Sequence, residues 1–149
     1  MPKVAVVWGS SSDGGVMQGA CEALDEFGVE HETLVVSAHR QPEKTADFAR
    51  NAASRGIRVI IAGAGLSAAL PGVIASHTAL PVIGVPIAGG PLNGVDALYS
   101  IVQMPGGIPV ATVGISNARN AALLAVEILA LTDDALAAKL NEYRRGMSG

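Results

Sequence analysis

The sequence predicts an α/β fold in which one parallel sheet carries helices on both faces. Three observations point there. Short β-branched apolar runs alternate with stretches of helical period along the whole chain. Loops of small residues follow the apolar runs, as at Gly9-Ser10-Ser11-Ser12-Asp13 and Gly63-Ala64-Gly65-Leu66-Ser67. Finally, 149 residues make one domain, and half of them are hydrophobic while only 15% are charged. Soluble chains average about 25% charged residues, so disorder is excluded. The shortage of charge also predicts a homo-oligomer that covers apolar surface.

Each element has its own warrant. Lys3 to Trp8 reads as a buried strand, and Val16, Ala20, Leu24 and Phe27 follow at helical spacing. His31 to Val36 is the second strand. Pro42 suits the first turn of a helix with an apolar face at Ala46, Ala49 and Ala53, and Gly56 ends it. Arg58 to Ala62 is the third strand, followed by a short helix over Leu70 to His77. Leu80 to Val85 is the fourth strand, Val95 to Val102 is helical, and Pro109 to Val113 is the fifth strand. Ala118 to Leu131 is apolar nearly all round and predicts a buried helix. A last helix starts near Asp133 and Asp134, with Leu136, Leu140 and Tyr143 on one stripe.

Several function classes drop out. Net charge is −3, and Arg144-Arg145 is the only adjacent basic pair, so neither a nucleic-acid groove nor an anionic membrane surface is expected. The apolar stretch from Val59 to Ala75 is broken by Gly63, Gly65, Ser67, Pro71 and Gly72, unlike a membrane span. The apolar run at the N-terminus is too short for a signal-peptide core. The expectation is a soluble cytoplasmic protein. Cys21, the single cysteine, cannot form an intrachain disulfide and shares a helical face with Met17 and Leu24, so it reads as packing. One cysteine and three scattered histidines give no metal-ligand spacing, so no metal is expected. The glycine-rich stretch after the third strand lacks a Walker lysine and the full dinucleotide fingerprint.

Right-handed crossovers bring the carboxyl ends of all parallel strands to one edge, where ligands sit. Four segments should meet there. Ser10, Ser12 and Asp13 form a hydroxyl-rich turn suited to a phosphate and a ribose diol, although Ser12 or Asp13 acting only as a helix cap is the plainer reading. Ser37-Ala38-His39-Arg40 adds an imidazole that can give and take a proton and a guanidinium that can neutralise a phosphate. Gly63, Gly65 and Leu70 come from the third segment and the helix after it. Pro86 to Gly90 supplies the fourth. His31 falls at the opposite edge, and His77 follows a short helix.

Taken together, G-S-S-S-D, V-V-S-A-H-R, I-I-A-G-A-G, L-P-V-I-G-V-P and S-I-V-Q-M-P-G-G-I-P-V-A-T-V resemble one family over nearly the whole chain. It is the 5-(carboxyamino)imidazole ribonucleotide mutase family of purine biosynthesis. The resemblance implies a flavodoxin-like three-layer αβα sandwich, a homo-octamer, and no metal or organic cofactor. It implies movement of a carboxylate from the exocyclic amine of an imidazole ribonucleotide to ring carbon four, downstream of an ATP-dependent carboxylating synthetase. By the same resemblance Ser10, Ser12 and Asp13 hold phosphate and ribose, Ser37 and Arg40 belong to a second binding segment, and His39 is the general acid and base. Ala38, Gly63, Gly65 and Leu70 complete the expected substrate-binding set.

One departure stands out: the family reads A-A-H-L-P-G where this chain has Ser67-Ala68-Ala69-Leu70-Pro71-Gly72, so Ala69 replaces a second histidine. The related class that takes carbon dioxide directly is the alternative, but it carries lysine where this chain has Arg40. A non-catalytic mononucleotide-binding module of the flavodoxin type is a third reading, disfavoured by the scarcity of aromatic residues to stack on a flavin.

Overall fold

The computed structural model describes residues 1–148. The elements follow in chain order: β1 (Val4–Trp8), α1 (Gly14–Glu26), β2 (His31–Val35), α2 (Pro42–Ala52), β3 (Val59–Gly65), α3 (Leu70–Ser76), β4 (Val82–Ile87), α4 (Val95–Val102), β5 (Ala111–Thr112), α5 (Ala118–Ala130) and α6 (Asp134–Ser148). All five strands pair in parallel in the order β2-β1-β3-β4-β5. The predicted α/β class and parallel sheet are therefore observed.

Strand alternation divides the core into two layers. Val4 and Val6 face α1, α5 and α6, together with Met17, Leu24, Ile61, Ile83 and Ala122. Ala5 and Val7 face α2, α3 and α4, together with Ile57, Ile60, Ile74 and Ile101. Cys21 is buried in the first layer as expected, and burial pushes its thiol pKa up, which keeps it protonated. Among the described residues no helix is long and apolar enough to cross a membrane.

Helix ends follow local chemistry. Gly28 (φ 68°) and Gly56 (φ 95°) adopt the left-handed conformation that closes the first two helical segments. Asn117 Oδ1 accepts from Asn120 N–H at 3.1 Å at the start of α5, and Asp133 Oδ1 accepts from Leu136 N–H at 3.1 Å at the start of α6. The expected stripe of α6 packs on the core at Leu136, Leu140 and Tyr143. Arg119 of α5 donates to Glu26 at 2.8 Å and to the Tyr143 hydroxyl at 3.4 Å, joining α1, α5 and α6.

Several expected strand ends move, and one helix is less buried than expected. Strand three runs on through Gly65 rather than stopping at Ala62. Gly63 lies inside that strand because a Cβ there would collide with Met17 Sδ and come within 3.1 Å of Ile87 Cδ1. Strand four begins at Val82, since Pro81 has no N–H, and reaches Ile87. Pro86 is tolerated within it: its carbonyl accepts from Ser116 N–H, so its missing donor faces the side where β5 has already ended. Strand five shrinks to two residues, because Pro109 cannot donate to the ladder. The helix at 118–130 is not buried all round. It buries Ala118, Ala121, Ala122, Ala125 and Val126, while Leu123, Leu124 and Ile128 are half-buried and Leu131 beyond its end is 83% exposed.

Gly63→Ala forces a methyl against Met17, so it is expected to destabilise the fold by about 1–3 kcal/mol. Urea denaturation at matched protein concentration checks this; an unchanged midpoint would mean that Met17 repacks freely.

Candidate functional site

The strand order reverses direction at β1, with β2 on one side and β3 on the other. Crossovers diverge at such a point and leave a crevice at the carboxyl ends. A cleft of about 130 Å³ lies there, lined by Gly9, Ser10, Asp13, Ser37, Ala38, His39, Arg40, Ala64, Gly65, Ser67, Ala69 and Leu70.

The turn after β1 is built by its serines. Ser10 caps a 3-10 turn over Ser11–Asp13: its hydroxyl oxygen accepts from Ser12 N–H at 3.4 Å and lies 3.0 Å from Ser12 Oγ, and its carbonyl accepts from Asp13 N–H at 3.0 Å. Asp13 makes no side-chain cap bond, so its carboxylate is not consumed by the helix. Partial burial raises the Asp13 pKa, opposed by the backbone hydrogen bond to Ser10.

A second turn, after β2, presents the imidazole. Ser37 Oγ accepts from Arg40 N–H at 3.2 Å, Gln41 Oε1 accepts from Ser37 N–H at 3.2 Å, and Ser37 O accepts from Gln41 N–H at 2.8 Å. Beneath them Thr45, the one buried polar side chain of the described core, donates to Gln41 O at 2.9 Å and approaches Ser37 O at 3.5 Å. These bonds fix the backbone on either side of His39 while its ring and the Arg40 guanidinium remain exposed. Arg40 has no carboxylate partner among the described residues, so its charge is available to an anion.

The structure brings together eight of the ten expected residues: Ser10, Asp13, Ser37, Ala38, His39, Arg40, Gly65 and Leu70. Two fall outside the lining. Ser12 is exposed and turned toward Ser10, and Gly63 is a packing position against Met17. His31 sits at the opposite edge, as expected, with Nδ1 3.1 Å from Val29 O. Among the described residues no group of three or more His, Cys, Asp or Glu side chains is placed to hold a metal.

Comparison with known proteins gives this geometry a family. The family model described as AIR carboxylase matches residues 3–149. The chain belongs to the AIR carboxylase family. A protein of Aquifex aeolicus named N5-carboxyaminoimidazole ribonucleotide mutase is 62% identical over 140 residues, 94% of this chain and 84% of its own. A mutase of the same name from Thermotoga maritima is 55% identical over 147 residues, 99% of this chain and 86% of its own. A Saccharomyces cerevisiae protein named phosphoribosylaminoimidazole carboxylase is 53% identical over 142 residues, 95% of this chain but 25% of its own. The crystal structure of Treponema denticola PurE superposes with a TM-score of 0.91 at 31% identity, covering 99% of this chain and 92% of that one. The flavodoxin-like sandwich expected from the sequence is thus the family's fold.

Gly9, Ala64 and Ser67, which the sequence places at the carboxyl edge without a role, also line the cleft, as does Ala69 at the position of the family's second histidine. Gln41 and Thr45 were missed. Their work is hydrogen bonding to backbone, and only the register of α2 against the turn reveals it. Ser67 carried a signal: it is a polar side chain in the small-residue stretch directly after a buried strand.

Asp13 has a raised folded pKa, so its ionisation opposes folding. That penalty is absent below the unfolded carboxyl pKa and grows as pH rises through the folded one. Asp13→Asn is therefore expected to keep or raise Tm at pH 7, with the difference from wild type shrinking toward pH 3. A thermal-melt series over pH 3–7 checks it; a lower Tm for the variant at pH 7 would mean that the carboxylate stabilises the turn.

Proposed function

We propose that the chain interconverts 5-(carboxyamino)imidazole ribonucleotide and 4-carboxy-5-aminoimidazole ribonucleotide, an isomerisation in purine biosynthesis, with His39 as general acid and base. The observation that carries this reading is the shared cleft. A hydroxyl-rich turn with a carboxylate that caps no helix, an unpaired arginine and an exposed imidazole converge on one small crevice in a chain 55% and 62% identical to two named mutases. The hydroxyl-rich turn at Ser10 suits the phosphate, with Arg40 neutralising charge and Asp13 accepting from the ribose hydroxyls.

The chemistry needs one proton shuttle. The N–COO⁻ bond breaks, carbon dioxide leaves, and imidazolium His39 protonates the exocyclic nitrogen. Ring carbon four then attacks the retained carbon dioxide, forming the C–C bond, and neutral His39 removes the ring proton. The proton returns to the group that gave it, so the step is balanced without an external reagent and calls for neither metal nor organic cofactor. Keeping carbon dioxide beside the ring replaces an encounter with a unimolecular step. The carbamate substrate is made by an ATP-dependent carboxylating synthetase acting upstream. No aromatic side chain lines the cleft among the described residues, which speaks against a flavin-binding module.

The active form is proposed to be a homo-octamer in the cytoplasm. Ligand sites usually enclose about 300–1,000 Å³, more than the 130 Å³ found in one chain. Val95, Tyr99 and Val102 form an exposed stripe at helical spacing along α4, and Leu66, Leu92 and Ile115 are exposed at the same end of the sheet. A second copy of a chain with so little charge is the occupant that covers such a stripe and walls the cleft.

His39→Asn is expected to fold and to bind the product nucleotide, while turnover of the carbamate-bearing nucleotide falls at least ~10²–10⁴-fold. Stopped-flow assays with that substrate, beside assays of 5-aminoimidazole ribonucleotide with bicarbonate, test both points. Near-normal turnover of the variant removes His39 from the chemistry. Efficient use by wild type of the uncarboxylated nucleotide alone makes the chain a direct carboxylase instead.

A further inference from the structure

We propose that a second anion-binding site lies at the amino edge of the sheet, where Lys3, Arg58 and Lys139 take a small organic phosphate. It stands apart from the isomerisation and uses no residue of the carboxyl-edge cleft.

A cavity of about 490 Å³ opens at that edge. Small-molecule sites usually enclose about 300–1,000 Å³. The parallel pairing of β1 with β3 sets Val4 beside Val59, so Lys3 and Arg58 precede their strands side by side, and Arg58 N–H donates to Lys3 O at 2.8 Å. Lys139 arrives from α6, 112 positions along the chain from Phe27, whose carbonyl accepts from its ammonium at 3.3 Å. Gly28 leaves room for that ammonium, since a Cβ there would come within 3.2 Å of Lys139 Nζ. All three cations line the cavity and are exposed.

Charge pairing sets this cluster apart. The chain has ten lysines and arginines. Five of them, Arg50, Arg55, Arg119, Arg144 and Arg145, pair with carboxylates. The other five have no carboxylate partner among the described residues. Of these, Arg40 lies in the carboxyl-edge cleft, Lys44 lies in α2, and the remaining three meet at this cavity. The two carboxylates of the lining are engaged: Glu30 accepts from the N-terminal ammonium at 3.0 Å, and Asp133 Oδ1 accepts from Leu136 N–H at 3.1 Å. Like charges gathered without a counter-ion oppose folding, and an entering anion cancels that repulsion.

The plainer role of Lys139 is to cap the end of α1 through the Phe27 carbonyl. That bond uses one of three ammonium donors and leaves two for a ligand. Three cations match a group with two or three negative charges. A monocarboxylate would leave two of them facing each other, whereas a phosphate would not, and the Arg58 fork fits phosphoryl oxygens. Phe27, Leu129 and Leu136 give the cavity an apolar side, which suits an organic ester.

Inorganic pyrophosphate is the probe. Because Arg40 can also hold phosphate, calorimetric titration uses Arg40→Met protein, alone and combined with Lys3→Met, Arg58→Met or Lys139→Met. Arg40→Met is expected to bind one pyrophosphate per chain, and each added substitution to weaken it at least about tenfold with Tm unchanged. Binding also weakens as salt rises. Arg58→Met in otherwise wild-type protein keeps turnover within about twofold. Absence of pyrophosphate binding by Arg40→Met, or binding that none of the three substitutions weakens, overturns the site. Citrate bound as tightly as pyrophosphate overturns the phosphate class. Loss of turnover in Arg58→Met places that residue in the catalytic machinery and overturns a separate site. Failure of wild type to turn over the carbamate-bearing nucleotide overturns the isomerisation alone.

Discussion

A right-handed crossover between parallel strands fixes which side of the sheet each helix covers. Starting from β1, the chain of this protein moves outward to β2, crosses back to β3 and then proceeds to β4 and β5. The helices on either side of β1 consequently cover opposite faces of the sheet: α1 joins the layer with α5 and α6, and α2 joins the layer with α3 and α4. Nothing fills the carboxyl end between them. The crevice is a consequence of chain path, and it exists before any particular side chain is placed in it.

What occupies the crevice is set by short-range hydrogen bonding. Two turns, after β1 and β2, are each closed by a serine whose hydroxyl oxygen accepts a backbone N–H. Closing the turns with small side chains leaves the His39 ring and the Arg40 guanidinium exposed and spares Asp13 from capping the helix. The second turn is the more heavily braced, because Thr45 anchors it from within the core. The proposed proton shuttle calls for such bracing: a ring that can turn between two atoms on a support that does not drift.

Small residues matter for a second reason. Gly63 admits Met17, and Gly90 admits Leu66. The first contact lets Met17 pack against β3, and the second lets the Leu66 side chain lie over the loop after β4. An apolar stripe on α4 and the exposed leucines at the same end show that one copy leaves the rim of the site uncovered. On the proposed oligomer, the shortage of charge in the composition and the small size of the crevice have one cause, a rim that a second copy covers.

All five strands and all six helices of the described residues were legible in the sequence, because buried strands and amphipathic helices write their periods directly into residue type. Strand ends were less so. Gly63 reads as a loop residue until Met17 is seen against it, and Pro109 reads as strand until its missing donor is counted. The core of the site was legible as well, since Ser10, Asp13, Ser37, His39 and Arg40 follow strands in sequence. Thr45 and Gln41 were not, because a side chain that bonds to a backbone N–H or carbonyl four or eight residues away has no spacing pattern of its own. The capping role expected for Ser12 or Asp13 belongs to Ser10, a distinction that depends on backbone angles. The most direct test of the central claim is a crystal structure of the protein with 4-carboxy-5-aminoimidazole ribonucleotide bound. The account predicts the phosphate on the Ser10–Asp13 turn and ring carbon four or the exocyclic amine within about 3.5 Å of a His39 ring nitrogen. A nucleotide bound with its ring remote from His39 of every neighbouring subunit would contradict it.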